Sequence, residues 1–132
     1  MSTNFIGQSV KRREDYRFLT GAGQYTDDVQ FANQTYAYFL RSPHAHAKIK
    51  ALRKDKALKA PGVVAIFTSE DIANSKMGGL PCGWLITDVN GQPMKEPPHP
   101  VLAHDKVRYV GDHVAVIIAE TYAQAKDAGE LV

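Results

Sequence analysis

This chain is short of the features that would settle its class at a glance. Cys82 is its one cysteine in 132 residues, so no internal disulfide framework exists and the composition fits a reducing compartment. No apolar run approaches the roughly 20 residues that a spanning helix needs. The first residues are polar (Ser2, Thr3, Asn4), unlike the charged-then-apolar order of a secretory signal. Together these absences point to a cytoplasmic protein. No internal repeat or low-complexity tract occurs, which excludes solenoids and tails. What is present is 44% hydrophobic content, the composition of one ordinary domain with enough chain to bury a core unaided.

The net charge is only +2, but it is uneven. Lys48, Lys50, Arg53, Lys54, Lys56 and Lys59 crowd one segment against a single acid, Asp55. Nucleic acid is the obvious reading, yet the segment holds none of the stacking aromatics that strand-binding surfaces interleave. Lys48 and Lys50 alternate with Ala47, Ile49 and Ala51, as on the wet face of a half-buried strand. A docking patch for an acidic protein partner lies between those readings.

Residues 1–34 show few periodic signals, and an extended amino-terminal arm is expected there, with the folded domain over 35–132. Strand composition over 35–41 breaks at Ser42-Pro43-His44 and resumes over 47–52, which predicts two neighbouring strands. Residues 55–60 predict a helix stopped by Pro61-Gly62. A near-continuous apolar strand follows over 63–68, and Ser69-Glu70-Asp71 opens a short helical turn. From 74 to 100, Asn90-Gly91 and the cluster Pro93, Pro97, Pro98 and Pro100 predict a long excursion used for recognition or for packing against a neighbour. Strands over 106–110 and 114–119, split by Gly111-Asp112, precede a helix that Thr121 and Gln124 open as a capping box. The order predicts an α+β fold: a mixed β-sheet, two or three short helices and a long Pro/Gly-rich loop. The last helix is expected to place Ala125, Ala128, Leu131 and Val132 along one face and to run to that apolar pair unterminated. The chain therefore reads as the front piece of something longer. Apolar surface left open at 114–119 and on that helix would favour self-association.

No constellation of reactive residues is complete. His44 and His46 share a face if extended, but a metal needs three or four ligands, and no sequence argument brings His99, His104 or His113 to them. Gly21-Ala22-Gly23 lacks the third glycine of a dinucleotide loop, and Thr26-Asp27-Asp28 puts carboxylates where phosphates would sit. Asp27-Asp28 and Glu14-Asp15 are read as solvated caps and turns. Cys82, between Pro81 and Gly83, has no activating neighbour and is read as an inert thiol. Trp84 beside it is either a partner anchor or a packing residue. The residues by themselves indicate a non-catalytic piece, with no catalytic, cofactor-binding or metal residue assigned.

Several stretches, in order, resemble one family. FLTGAGQYTDD (18–28), RSPHAHA (41–47), APGVVA (60–65) and KVRYVGD with VAV (106–112 and 114–116) are similar to segments of molybdenum hydroxylase large subunits, the group of xanthine dehydrogenase, aldehyde oxidase and aerobic carbon monoxide dehydrogenase. The resemblance leans toward the carbon monoxide dehydrogenase-like branch. It implies the amino-terminal α/β hammerhead domain of a molybdopterin-binding subunit. Its pterin loops, molybdenum surroundings and carboxylate base would lie downstream, and Cys82 is not the cysteine that binds copper in CO oxidisers. FAD and 2Fe-2S clusters would reside on a flavin-binding medium subunit and an iron–sulfur small subunit. The implied domain is inert alone and serves to shape the subunit and dock those partners. A stand-alone protein-binding module with no enzymatic role is the alternative; neither reading has a nucleic acid or a membrane span.

Overall fold

Residues 6–132 are described by the computed structural model, so Ser2, Thr3 and Asn4 lie outside the described residues. The chain divides into two units, Met1–Ala32 and Asn33–Val132.

In the first unit, helix α1 (Asp15–Leu19) buries no residue. The Arg12 guanidinium reaches Asp15 at 3.1 Å, a favourable charge at the first turn. Gly21 ends the helix in the left-handed region (φ +74°). Its N–H donates to the Phe18 carbonyl (3.2 Å), and the Ala22 N–H donates to that of Arg17 (2.9 Å), so glycine supplies the turn that closes the helix. The Phe18 ring stacks on Tyr25 with centroids 5.6 Å apart and lies directly over Gly23.

The second unit is built on a three-stranded antiparallel sheet in the order β1-β5-β3, from β1 (Tyr36–Arg41), β3 (Val63–Thr68) and β5 (His113–Ala119). Alternation sets its two faces. Tyr38, Ile117 and Ile66 lie in one cross-strand row and face helix α3 (Tyr122–Gly129). Small residues let that helix approach. Ala115, Ala119, Ala125 and Ala128 are fully buried around Ile117, and Gly129 sits so close to the Tyr38 ring that a Cβ there would fall 2.8 Å from it. The opposite row, Phe39, Val116 and Phe67, is only partly covered.

A second, smaller core underlies an antiparallel ribbon of β2 (Ala47–Lys48) and β4 (Lys106–Val107). There Ala103, Val107 and Val114 are buried against Ala47, Ile49 and Leu52. Helix α2 (Ser69–Asn74) follows β3 directly. The excursion then folds back on itself: Met94 N–H donates to the Ile86 carbonyl (3.0 Å), Asp88 N–H to that of Gln92 (2.9 Å) and Leu80 N–H to that of His99 (2.8 Å). Gly91 takes φ +77° at the tip, a left-handed residue closing a turn in which its N–H donates to the Asp88 carbonyl (3.0 Å).

The α+β class holds, and its strands divide between two antiparallel sheets. Four expectations need correction. The strands on either side of Ser42-Pro43 are not neighbours, because β1 pairs with β5 and β2 with β4. The strand expected over 106–110 stops at Val107, and Asp112 accepts from the Ser42 N–H. The expected helix over 55–60 is a single 3-10 turn at Ala57–Lys59, because Pro61 leaves no room for a second turn. Finally, α3 ends at Gly129, leaving Leu131 half-exposed outside it. β5 is the central strand, paired on both edges, so what the sheet leaves partly uncovered is the Phe39–Val116–Phe67 face.

Candidate functional site

Two of the sequence motifs meet at one junction. The Ser42 N–H donates to the Asp112 carbonyl (2.9 Å), and the Gly111 N–H donates to that of Ser42 (2.8 Å). Gly111 stands at φ +91°, which a side chain would strain. The buried Asp112 carboxylate accepts from the Arg108 N–H (2.9 Å), and the Arg41 guanidinium donates to the Gly111 carbonyl (3.2 Å). Ser42 Oγ accepts from the His44 N–H at 3.0 Å, so Ser42-Pro43-His44 is a side-chain-capped turn. Its Ser42 backbone N–H and C=O join the two segments, while Ser42 Oγ holds the turn itself.

Beside the junction lies an open cleft of about 360 Å³ between the end of β1 and residues 47–52. Leu40, Ile49, Leu52, Val107 and Val114 form its apolar surface, and Arg41, His44, Lys48 and Lys50 its rim. At the far side of the ribbon, Ser69 Oγ and His104 Nδ1 stand 3.2 Å apart, tying the end of the excursion to the start of α2. Asp71 completes a capping box there: its Oδ2 accepts from the Thr68 N–H (2.7 Å) and hydroxyl (2.9 Å) and meets Lys54 Nζ at 3.0 Å. These donors, the Thr68 N–H foremost and then the Lys54 ammonium, hold its carboxyl below the usual carboxylate range.

The histidines do not converge. His44 and His46 are exposed, His104 engages Ser69, and the His113 ring lies against Phe39, centroids 5.2 Å apart. Among the described residues no group of three His, Cys, Asp or Glu side chains is placed to hold a metal. Asp28 accepts from the Tyr25 N–H at 2.9 Å, a turn cap. The Cys82 thiol donates to the Trp84 carbonyl (3.3 Å), while its N–H donates to the Glu96 carboxylate (3.2 Å). Trp84 is 80% exposed, so it is not a local packing residue. Sequence reasoning missed Asp112 and Asp71 as organising groups. For Asp71 the Thr68-x-x-Asp71 spacing was available as a signal; for Asp112 nothing local points to Ser42.

Residues 20–132 match the family model described as "Aldehyde oxidase and xanthine dehydrogenase, a/b hammerhead domain". The chain belongs to that family. The chain is 39% identical, over its whole length, to the nicotine 6-hydroxylase large subunit of Paenarthrobacter nicotinovorans, covering 15% of that protein. It is 38% identical over 96% of its length to the carbon monoxide dehydrogenase large chain of Afipia carboxidovorans, covering 14% of it. Among solved structures it is similar to quinoline 2-oxidoreductase from Pseudomonas putida 86, with a TM-score of 0.77, 37% identity and coverage of 95% of this chain and 15% of that one. The hammerhead domain thus spans about one seventh of the length of these relatives.

The family implies a molybdenum-bearing pterin, and the Gly21-Ala22-Gly23 turn does not fit one. A pterin phosphate needs free amides on a tight turn, whereas the Gly21 and Ala22 N–H groups close α1 and the Phe18 ring covers Gly23. Among the described residues no helix is long and apolar enough to cross a membrane.

Proposed function

We propose that this hammerhead domain belongs to the large subunit of a cytoplasmic, molybdopterin-dependent oxidoreductase, where it shapes the subunit and docks partners without supplying a reacting group. The observation that carries this reading is the use of the matching motifs. In RSPHAHA and KVRYVGD the Ser42, Gly111 and Asp112 groups hold the two segments together, and Gly21 of FLTGAGQYTDD closes a helix. A hydroxylase and a carbon monoxide dehydrogenase match at nearly equal identity, which favours residues that serve the fold over residues that select substrate. FAD and 2Fe-2S clusters would sit on the medium and small subunits, as in the arrangement the family resemblance implies. The test is to express this chain in a host that makes the molybdenum cofactor and to measure pterin fluorescence and molybdenum by mass spectrometry. Less than stoichiometric traces of both are expected. A tight one-to-one pterin complex would sink the proposal.

A further inference from the structure

We propose that the cleft beside β2 takes an extended acidic segment of a separate protein, which pairs its backbone with the free edge of β2 and seats an apolar side chain against Leu40 and Leu52. This rests on the docking role above and gives it a surface and a partner chemistry.

The edge comes first. Ile49 N–H donates to the Asp105 carbonyl at 3.0 Å, and Ala47 stands opposite Val107. Alternation in an antiparallel ribbon therefore turns the N–H and C=O of Lys48 outward, away from β4. Among the described residues the ribbon has two strands, and no third strand pairs with that edge, which leaves it available for strand addition. The cleft comes second: at about 360 Å³ it falls in the range of ligand-holding clefts, about 300–1,000 Å³, and its lower surface is aliphatic.

Charge chooses the occupant. Residues 41–59 hold seven cations and one acid, against nine cations and thirteen acids in the rest of the chain. Lys54 is engaged by Asp71, but Lys48 and Lys50 on the cleft rim form no ion pair among the described residues. Lysines on an open edge repel indiscriminate strand pairing; a strand with acidic side chains is the one whose charge they complement. The cleft lining has no Phe, Tyr or Trp and offers the His44 ring alone as an aromatic face, so a nucleic-acid strand would find little to stack on.

The test selects a random nonapeptide display library against this chain. Enrichment of acidic residues alternating with apolar ones is expected. The best such peptide should lose about tenfold or more in affinity to K48E/K50E and nothing to K126E, with the melting temperature of each variant unchanged because all three lysines are exposed. Enrichment of basic or uncharged peptides, or undiminished binding to K48E/K50E, overturns the proposal. So does tighter binding of an oligo-dT of on the order of 20 nucleotides. Co-purification of the longer polypeptide with flavin and iron–sulfur subunits separates the two readings. If K48E/K50E assembles like the parent, this surface is overturned and the docking role stands. If neither assembles while the acidic peptide still binds, the docking role alone falls. In the assembled enzyme a carbodiimide crosslink from Lys48 to a carboxylate of another subunit is expected, and one to the same polypeptide overturns the proposal.

Discussion

The sheet with α3 and the excursion over 75–100 are both rich in apolar residues, yet they treat them oppositely. In the sheet, Ala115, Ile117 and Ala119 are fully buried. In the excursion, Trp84, Leu85, Ile86 and Val89 are exposed, Val89 completely. Hydrophobicity does not separate the two regions; periodicity does. β5 alternates so that every second side chain meets α3, and flanking strands satisfy its backbone on both sides. The excursion is punctuated by prolines that cannot donate to a ladder, and one isolated bridge, Thr87 to Pro93, is its only strand-like pairing among the described residues. Burial therefore follows from where backbone hydrogen bonds can repeat, and the apolar residues of the excursion are left facing outward.

Truncating the sheet core should have the largest effect. Ile117→Ala removes a fully buried side chain between α3 and its neighbours and should cost about 2–5 kcal/mol, read as a lower denaturant midpoint at constant slope. A loss below about 1 kcal/mol would show that the core collapses around the gap. An intermediate effect is expected where core and excursion meet. Asp71→Ala removes the α2 capping box and should cost about 1–2 kcal/mol, most of it from the cap, because the Lys54 pair is a third exposed and such pairs contribute little. The Asp71 carboxyl titrates below its ordinary value of 3.8 when folded, so its contribution is full above that value and is lost as pH falls through the depressed one. The gap between parent and variant should accordingly hold near neutrality and close in acid; a gap independent of pH would remove the carboxylate from the account. The smallest effect belongs to the excursion. Trp84→Ala should move stability by no more than about 0.5 kcal/mol, and a larger loss would mean that the ring packs in solution.

The elements legible in the sequence are those that carry their own repeat. β1, β3 and β5 announce themselves by β-branched and aromatic composition, and α3 by Thr121, whose Oγ1 accepts from the Gln124 N–H at 3.3 Å. The N-cap at Thr121 is as expected, but the capping box is only half formed, because Gln124 Oε1 accepts from the Thr121 hydroxyl (2.9 Å) and not from its backbone. β2 and β4 were overextended because two-residue pairing depends on a partner in a distant segment, and no local pattern reports it. The same holds for the junction: Gly111-Asp112 reads as an ordinary turn, and only the fold shows that Ser42 needs it. Gly129 was overlooked because its role is steric, an absence of side chain facing Tyr38. The cleft was half legible. Its lysines stood out by composition, and its apolar surface came from five residues spread between Leu40 and Val114.

The clasp at the base of the excursion has a consequence for how this domain tolerates change. His104 meets Ser69, and the Ala103 N–H donates to the His113 carbonyl at 2.7 Å, so the two ends of the long detour are fastened where they leave and rejoin the fold. Closing a loop grows costlier only slowly with length, about 0.6 kcal/mol for each doubling. The Asn90-Gly91 tip is thus a natural grafting point: a tag, an affinity handle or a whole reporter domain spliced there would hang from a finished scaffold without asking it to refold.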